Sequence, residues 1–332
     1  MRSGIFARVW LVALAFATAT AVSQPAAADD RRACLNGSKD TAAATIDACT
    51  RAIQSGDYGD QDLSALYHAR GYSWSWTSFA DRDDRALKDF AEAIRANPKA
   101  GGSLLNRSHI YNQRHDYDRA IADVNRAFEG DLSDYGKQVG FGERGYAYQA
   151  KGDNDRAIAD YTASIRLNAN NYVALTARCN AYFAKGDLDG AIADCGRAIA
   201  LHPNYRDAYF NRGYAYQAKG DFDRAIADYD RMVALDPKDW DAYSNRATAY
   251  LAKGDFRRFI ADLAQRQALS WLAIIVFLAA GVWLCCRTGM HARGRWAGRT
   301  LIEICEQEVV GMQHRNAALE KIAAALERRS SG

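Results

Sequence analysis

What this 332-residue chain lacks narrows its function first. It has no nucleophile elbow, no glycine-rich phosphate loop, no paired-cysteine zinc ribbon and no His-Glu-x-x-His run. Its six histidines, His68, His109, His115, His202, His291 and His314, are scattered. A catalytic centre needs a nucleophile, base or metal set held together, and none of these patterns supplies one. The expectation is a chain that is not an enzyme and holds no cofactor and no metal. An excess of one charge is missing too: 43 Lys and Arg stand against 40 Asp and Glu. The net +3 comes from the two arginines near the start and from the stretch after residue 286. The middle of the chain therefore offers no basic footprint, and a nucleic-acid partner is excluded.

A fixed period is present instead. The tetrapeptide Ala-Lys-Gly-Asp recurs with its glycine at Gly152, Gly186, Gly220 and Gly254. The interval is constant, and around it the same phrase returns, read best from Arg212-Gly213-Tyr214-Ala215-Tyr216 to Ala225-Ile226-Ala227-Asp228-Tyr229. Tyr209, Gly213 and Tyr216 share one face of a first helix by their three- and four-residue spacing, and Ala225, Tyr229 and Met232 share one face of a second. Lys219-Gly220-Asp221 breaks the pair, with the glycine as a left-handed cap and the aspartate as the next N-cap. Pro237 ends the second helix. A lone hairpin of this kind cannot bury its apolar face, so the units must stack.

Upstream the period slips. Three extra residues fall between Asp131 and Val139, and three more in the turn Thr77 to Asp84. Ile46 to Ile53 mimics a second helix within an irregular cap. Two further positions recur in phase: Arg70, Arg107, Arg144, Arg178, Arg212 and Arg246 in the first helices, and Asp89, Asp123, Asp160, Asp194, Asp228 and Asp262 in the second. Either the arginines form a ladder for an acidic ligand, or each pairs with an aspartate of its own or the next unit. Equal number and phase favour the pairing.

The large residue, small residue, aromatic, alanine, aromatic and closing proline at Tyr209, Gly213, Tyr216, Ala225, Tyr229 and Pro237 strongly resemble the tetratricopeptide repeat. The resemblance implies an all-α, tetratricopeptide-type helical-hairpin solenoid, with ligands on the concave face of the first helices. Carried over by position, that face presents Tyr72, Leu105, His109, Asn112, Tyr146, Gln149, Asn180, Phe183, Phe210, Tyr214 and Gln217 as partner-binding residues. His68 and His109 fall on it in adjacent units, where a weak metal site is conceivable. The family's chaperone-tail binders grip a carboxylate with a Lys and an Asn four residues later. Here Asn180 meets the second place but Thr176 holds the first, which argues against such tails. The partner expected is a protein or an extended peptide. In the resembled repeat the places of Cys179 and Cys195 touch, and Cys34 and Cys49 are similarly spaced in the cap. Each pair either closes into a disulfide in an oxidising compartment or stays as buried thiols.

The ends extend the expectation. Residues 1–28 read as a secretory signal, with Arg2 and Arg8, an apolar run and Ala26-Ala27-Ala28. Residues 29–60 read as irregular capping helices, and 61–267 as a solenoid of about six repeats. Residues 268–286 carry no charge and read as a single transmembrane helix, and 287–332 as a basic, helical cytoplasmic tail whose apolar stripe can promote a homodimer. These features together predict a bacterial inner-membrane protein with its solenoid in the periplasm. Its function would be that of a membrane-anchored scaffold for complex assembly or, alternatively, of a transmembrane sensor coupling the solenoid to the tail.

Overall fold

The computed structural model describes residues 24–259, 261–263 and 265. Every regular element among them is helical: α1 (Gln24–Leu35), α2 (Ala42–Ser55), α3 (Asp60–Trp74), α4 (Arg82–Ala96), α5 (Gly101–Gln113), α6 (Tyr117–Phe128), α7 (Asp134–Ala150), α8 (Asn154–Leu167), α9 (Tyr172–Ala184), α10 (Leu188–Leu201), α11 (Arg206–Ala218), α12 (Phe222–Leu235) and α13 (Trp240–Ala252), with one 3-10 turn at Lys39–Thr41. Residues to Ala174 form one compact unit and those from Leu175 a second.

Each hairpin is made by the same local chemistry. Gly152, Gly186, Gly220 and Gly254 have φ between +78° and +82°, the left-handed region where a side chain is strained. The following aspartates, Asp153, Asp187 and Asp221, cap α8, α10 and α12, each accepting the third backbone N–H of its helix. The α5–α6 turn has His115 at the glycine's place, at φ 60°.

The two helices of a hairpin approach closely because the position after each ladder arginine is small. A Cβ on Gly145 would lie 2.8 Å from the Tyr161 ring, and one on Gly213 would lie 2.8 Å from the Tyr229 ring. Cys179 and Cys195 occupy these two places in the α9–α10 hairpin, with their Sγ atoms 2.03 Å apart and both residues fully buried. Cys34 and Cys49 stand at the same distance in the α1–α2 hairpin. There Ala33 and Ala48 precede them, where later hairpins carry the recurring Arg and Asp.

The two ladders pair within each hairpin. Arg70, Arg107, Arg144, Arg178, Arg212 and Arg246 each donate through Nε and Nη2 to both carboxylate oxygens of Asp89, Asp123, Asp160, Asp194, Asp228 and Asp262, at 2.6–2.9 Å. The carboxylates are buried. Third nitrogens tie neighbouring hairpins: Arg144 Nη1 donates to Asn125 Oδ1 at 2.6 Å, and Arg246 Nη1 to Asp230 Oδ1 at 2.5 Å. Lys151, Lys219 and Lys253 add ion pairs to Asp118, Asp189 and Asp223 of the preceding hairpin.

The expected fold class needs a correction. The tetratricopeptide-type solenoid stands, but no helix among the described residues is long and apolar enough to cross a membrane. The longest, α7, has 17 residues and carries Asp134, Lys137, Glu143 and Arg144. At 1.5 Å per residue it reaches roughly 25 Å, short of a hydrocarbon core about 30 Å thick. The same finding overturns the single-pass placement in a bacterial inner membrane with periplasmic repeats. The segments read as a span (268–286) and as a tail with its homodimer stripe (287–332) lie outside the described residues, as does most of the expected signal. Helix α1 begins at Gln24, ahead of the expected cleavage site.

Candidate functional site

Contacts that skip a helix join first helices: α3 with α5 and α5 with α7 in the first unit, and α11 with α13 in the second. Within each unit, first helices therefore line a shared face, and their outward positions decide what a partner meets.

In the first unit exposed rings and polar side chains share that face, and the polar groups are largely self-engaged. Tyr72 is exposed and meets Trp76 edge-on at 5.8 Å. Leu105 is buried with Leu104, Ile94 and Val124, so it belongs to the core and is withdrawn from the partner-binding set. Asn112 is withdrawn likewise at 2% exposure; its Nδ2 donates to the Glu143 main-chain oxygen at 3.0 Å and to Oε2 at 2.8 Å. His109 Nδ1 lies 2.9 Å from Glu143 Oε1, and that carboxylate holds the imidazole above its ordinary pKa. Tyr146 is exposed and meets Tyr117 at 6.4 Å. Gln149 Oε1 accepts the Tyr161 hydroxyl at 2.9 Å. His68 is engaged elsewhere, its Nδ1 2.9 Å from Ser103 Oγ, and burial lowers its pKa. The two histidines considered as metal ligands thus have separate partners.

The second unit presents a different surface. Phe183 of α9 and Tyr214 of α11 meet with ring centroids 5.1 Å apart, and Phe210 stacks on Tyr214 at 6.2 Å with planes 6° apart. Tyr214 is 44% exposed, and Phe183 and Phe210 are half-buried. Asn180 is exposed beside them on α9. Thr176, at the place where a lysine would grip a carboxylate, is buried. Gln217 Oε1 accepts the hydroxyl of fully buried Tyr229 at 3.2 Å. Burial raises the Tyr229 phenol above its ordinary pKa, so it keeps its proton and donates. This glutamine–tyrosine pair matches Gln149–Tyr161, at the same separation of 12 residues. That spacing is readable in the sequence, and it was the signal that residue types alone did not bring out.

The arrangement offers rings, amides and no unpaired guanidinium. Arg206 sits over the Phe210 ring at 5.6 Å while its nitrogens hold Asp239 at 2.6 and 2.9 Å and Asp241 at 2.9 Å. Such a surface can bind side chains and main chain.

A family model described as "TPR repeat" matches residues 180–220. Three described as "Tetratricopeptide repeat" match residues 207–239, 141–171 and 82–134. Among solved structures, a tetratricopeptide repeat protein from Parabacteroides merdae is 17% identical, with 72% of this chain and 93% of that one covered and a TM-score of 0.54. A chain of an APC/C hetero-tetramer is 18% identical, with 71% and 44% covered and a TM-score of 0.56; the match spans under half of that chain. YrrB, a TPR protein with an unusual peptide-binding site, is 19% identical, with 59% and 96% covered and a TM-score of 0.49. A comparison with curated proteins finds no match.

Proposed function

Because the chain belongs to the tetratricopeptide repeat family, whose fold is a protein- or peptide-binding scaffold, we propose that its first-helix face in the second unit recruits a protein or peptide partner for complex assembly. The observation that carries this reading is the ring cluster of exposed Tyr214 with half-buried Phe183 and Phe210. Three large aromatic side chains from adjacent helices meet at the surface, where each loses apolar burial that a covering partner would supply. Binding hot spots are built of such rings. The scaffold carries no reaction of its own in this reading.

The test is comparative capture with the full chain as bait. Wild type and Tyr214→Ala/Phe183→Ala are coupled to resin, and the retained proteins are quantified. Truncating two central aromatics costs about 2–4 kcal/mol of binding, a loss of more than tenfold in recovery. Phe183 is half-buried against the Cys179 and Cys195 core, so the single Tyr214→Ala bait, which removes only an exposed ring and should melt within a few degrees of wild type, controls for lost folding. Equal recovery by both baits would place the binding surface elsewhere.

A further inference from the structure

Resting on that reading, we infer that the occupant of the second unit's first-helix face is an extended, uncharged, apolar peptide segment held by its main-chain carbonyl, with Gln217 as the donor and Tyr229 as its positioning residue.

Charge comes first. Six cations around the face already have carboxylates. Arg178, Arg212 and Arg246 are committed to Asp194, Asp228 and Asp262. Arg206 holds Asp239 and Asp241, and Lys219 and Lys253 hold Asp189 and Asp223. An acidic peptide would find no free partner and would lose its hydration for nothing. A basic peptide would compete for carboxylates that are buried or already paired. With Thr176 buried at the carboxylate-gripping place, a free C-terminus has no anchor either. The neutral occupant is the one this surface does not penalise.

Hydrogen bonding then selects the group recognised. A carboxamide offers one acceptor oxygen and one two-proton donor nitrogen. The Tyr229 hydroxyl takes the Gln217 oxygen. The nitrogen is what remains, and the neutral acceptor every peptide carries is its backbone carbonyl. The Tyr229 ring is clamped over Gly213, where an added Cβ would lie 2.8 Å away, so the hydroxyl cannot wander. Next to this donor, the rings of Phe183, Phe210 and Tyr214 provide the contact for a flat or branched apolar side chain. In the first unit the matching glutamine, Gln149, follows Tyr146, which is exposed and meets Tyr117 at 6.4 Å instead of joining two phenylalanines. The same device there has a tyrosine pair where the second unit has two phenylalanines and a tyrosine.

A randomised twelve-residue phage-displayed library is panned on the immobilised full chain. Enriched sequences are synthesised with acetylated and amidated ends and titrated by fluorescence anisotropy. Apolar, near-neutral sequences should enrich, and capping should leave them binding. Affinity should fall by roughly tenfold or more in Gln217→Glu, where an acceptor faces an acceptor, and about three- to tenfold in Tyr229→Phe, which keeps the ring and removes only the hydroxyl. Tyr161→Phe makes the same loss beside Gln149 and should leave affinity within about twofold, which separates positioning from general destabilisation. Acidic or basic sequences that bind in a salt-sensitive way, or wild-type affinity in both Gln217→Glu and Tyr229→Phe, would overturn this inference. If Tyr214→Ala still weakened binding in that case, the face itself would stand. No enrichment, or binding indifferent to Tyr214→Ala, would sink both.

Discussion

Arg212→Met should lower the unfolding free energy by about 3–5 kcal/mol, while Arg212→Met combined with Asp228→Leu should recover most of it. Asp228 is 4% exposed and accepts both of its charged hydrogen bonds from Arg212, at 2.9 and 2.6 Å. Deleting the guanidinium leaves a carboxylate with neither water nor cation. Deleting both partners leaves an apolar contact that costs little. Chemical denaturation of the two variants and wild type measures the difference. The deficit should also depend on pH. Burial pushes the Asp228 carboxyl above its ordinary pKa, with Arg212 opposing that shift. Without Arg212 the folded-state pKa rises further, so the folded state binds the proton more tightly than the unfolded chain. Stability is then fully present below the unfolded carboxylate value near 3.9 and is lost as pH rises through the raised folded value. The Arg212→Met deficit should accordingly be smaller near pH 4 than near pH 8. A deficit under about 1 kcal/mol at pH 8 would mean that the ladder does not hold the hairpin.

The second large effect lies in the α9–α10 hairpin. Cys179→Ser/Cys195→Ser should cost about 3 kcal/mol or more, because the pair closes a loop with a sequence separation of 16 and is fully buried. Adding a reductant to wild type should reproduce most of that loss if it reaches the pair. A second variant separates covalent from packing contributions. Gly145 and Gly213 lie under the rings of Tyr161 and Tyr229 at the equivalent places. Cys179→Gly/Cys195→Tyr therefore rebuilds the neighbouring hairpins' contact and should restore at least half of what the serine variant loses. Thermal unfolding with and without reductant reads all three proteins. Identical melting of the serine variant and wild type would show that the pair contributes no cross-link.

Much of this fold was legible because repetition multiplies weak local signals. One Gly-Asp pair is a turn among many, but four at a constant interval mark caps, and the glycines do sit at positive φ. The extra residues near Asp131 also had a physical meaning: α7 runs to 17 residues where α9 and α11 have 13. Those in Thr77 to Asp84 lengthen the turn between α3 and α4. The ladder question stayed open in the sequence because phase alone cannot say which aspartate an arginine reaches; the bidentate pairs within each hairpin answer it.

The binding face was harder to read, because exposure depends on neighbouring hairpins. Leu105 and Asn112 share the register of accessible residues, yet the core around Val124 takes the first and Glu143 from the next hairpin covers the second. Phe183, Phe210 and Tyr214 were each placed on the face, but their meeting in one cluster is a tertiary fact. The membrane expectation rested on hydropathy of a segment outside the described residues, and the described helices give it no support.

Photocrosslinking tests the central claim most directly. A benzophenone amino acid is placed at position 214 on the first-helix face, and separately at position 197 on α10, where the Arg197 side chain is 53% exposed. After irradiation in cells, position 214 should give a discrete adduct with one partner and position 197 should give none. An adduct at 197 with none at 214 would contradict the account.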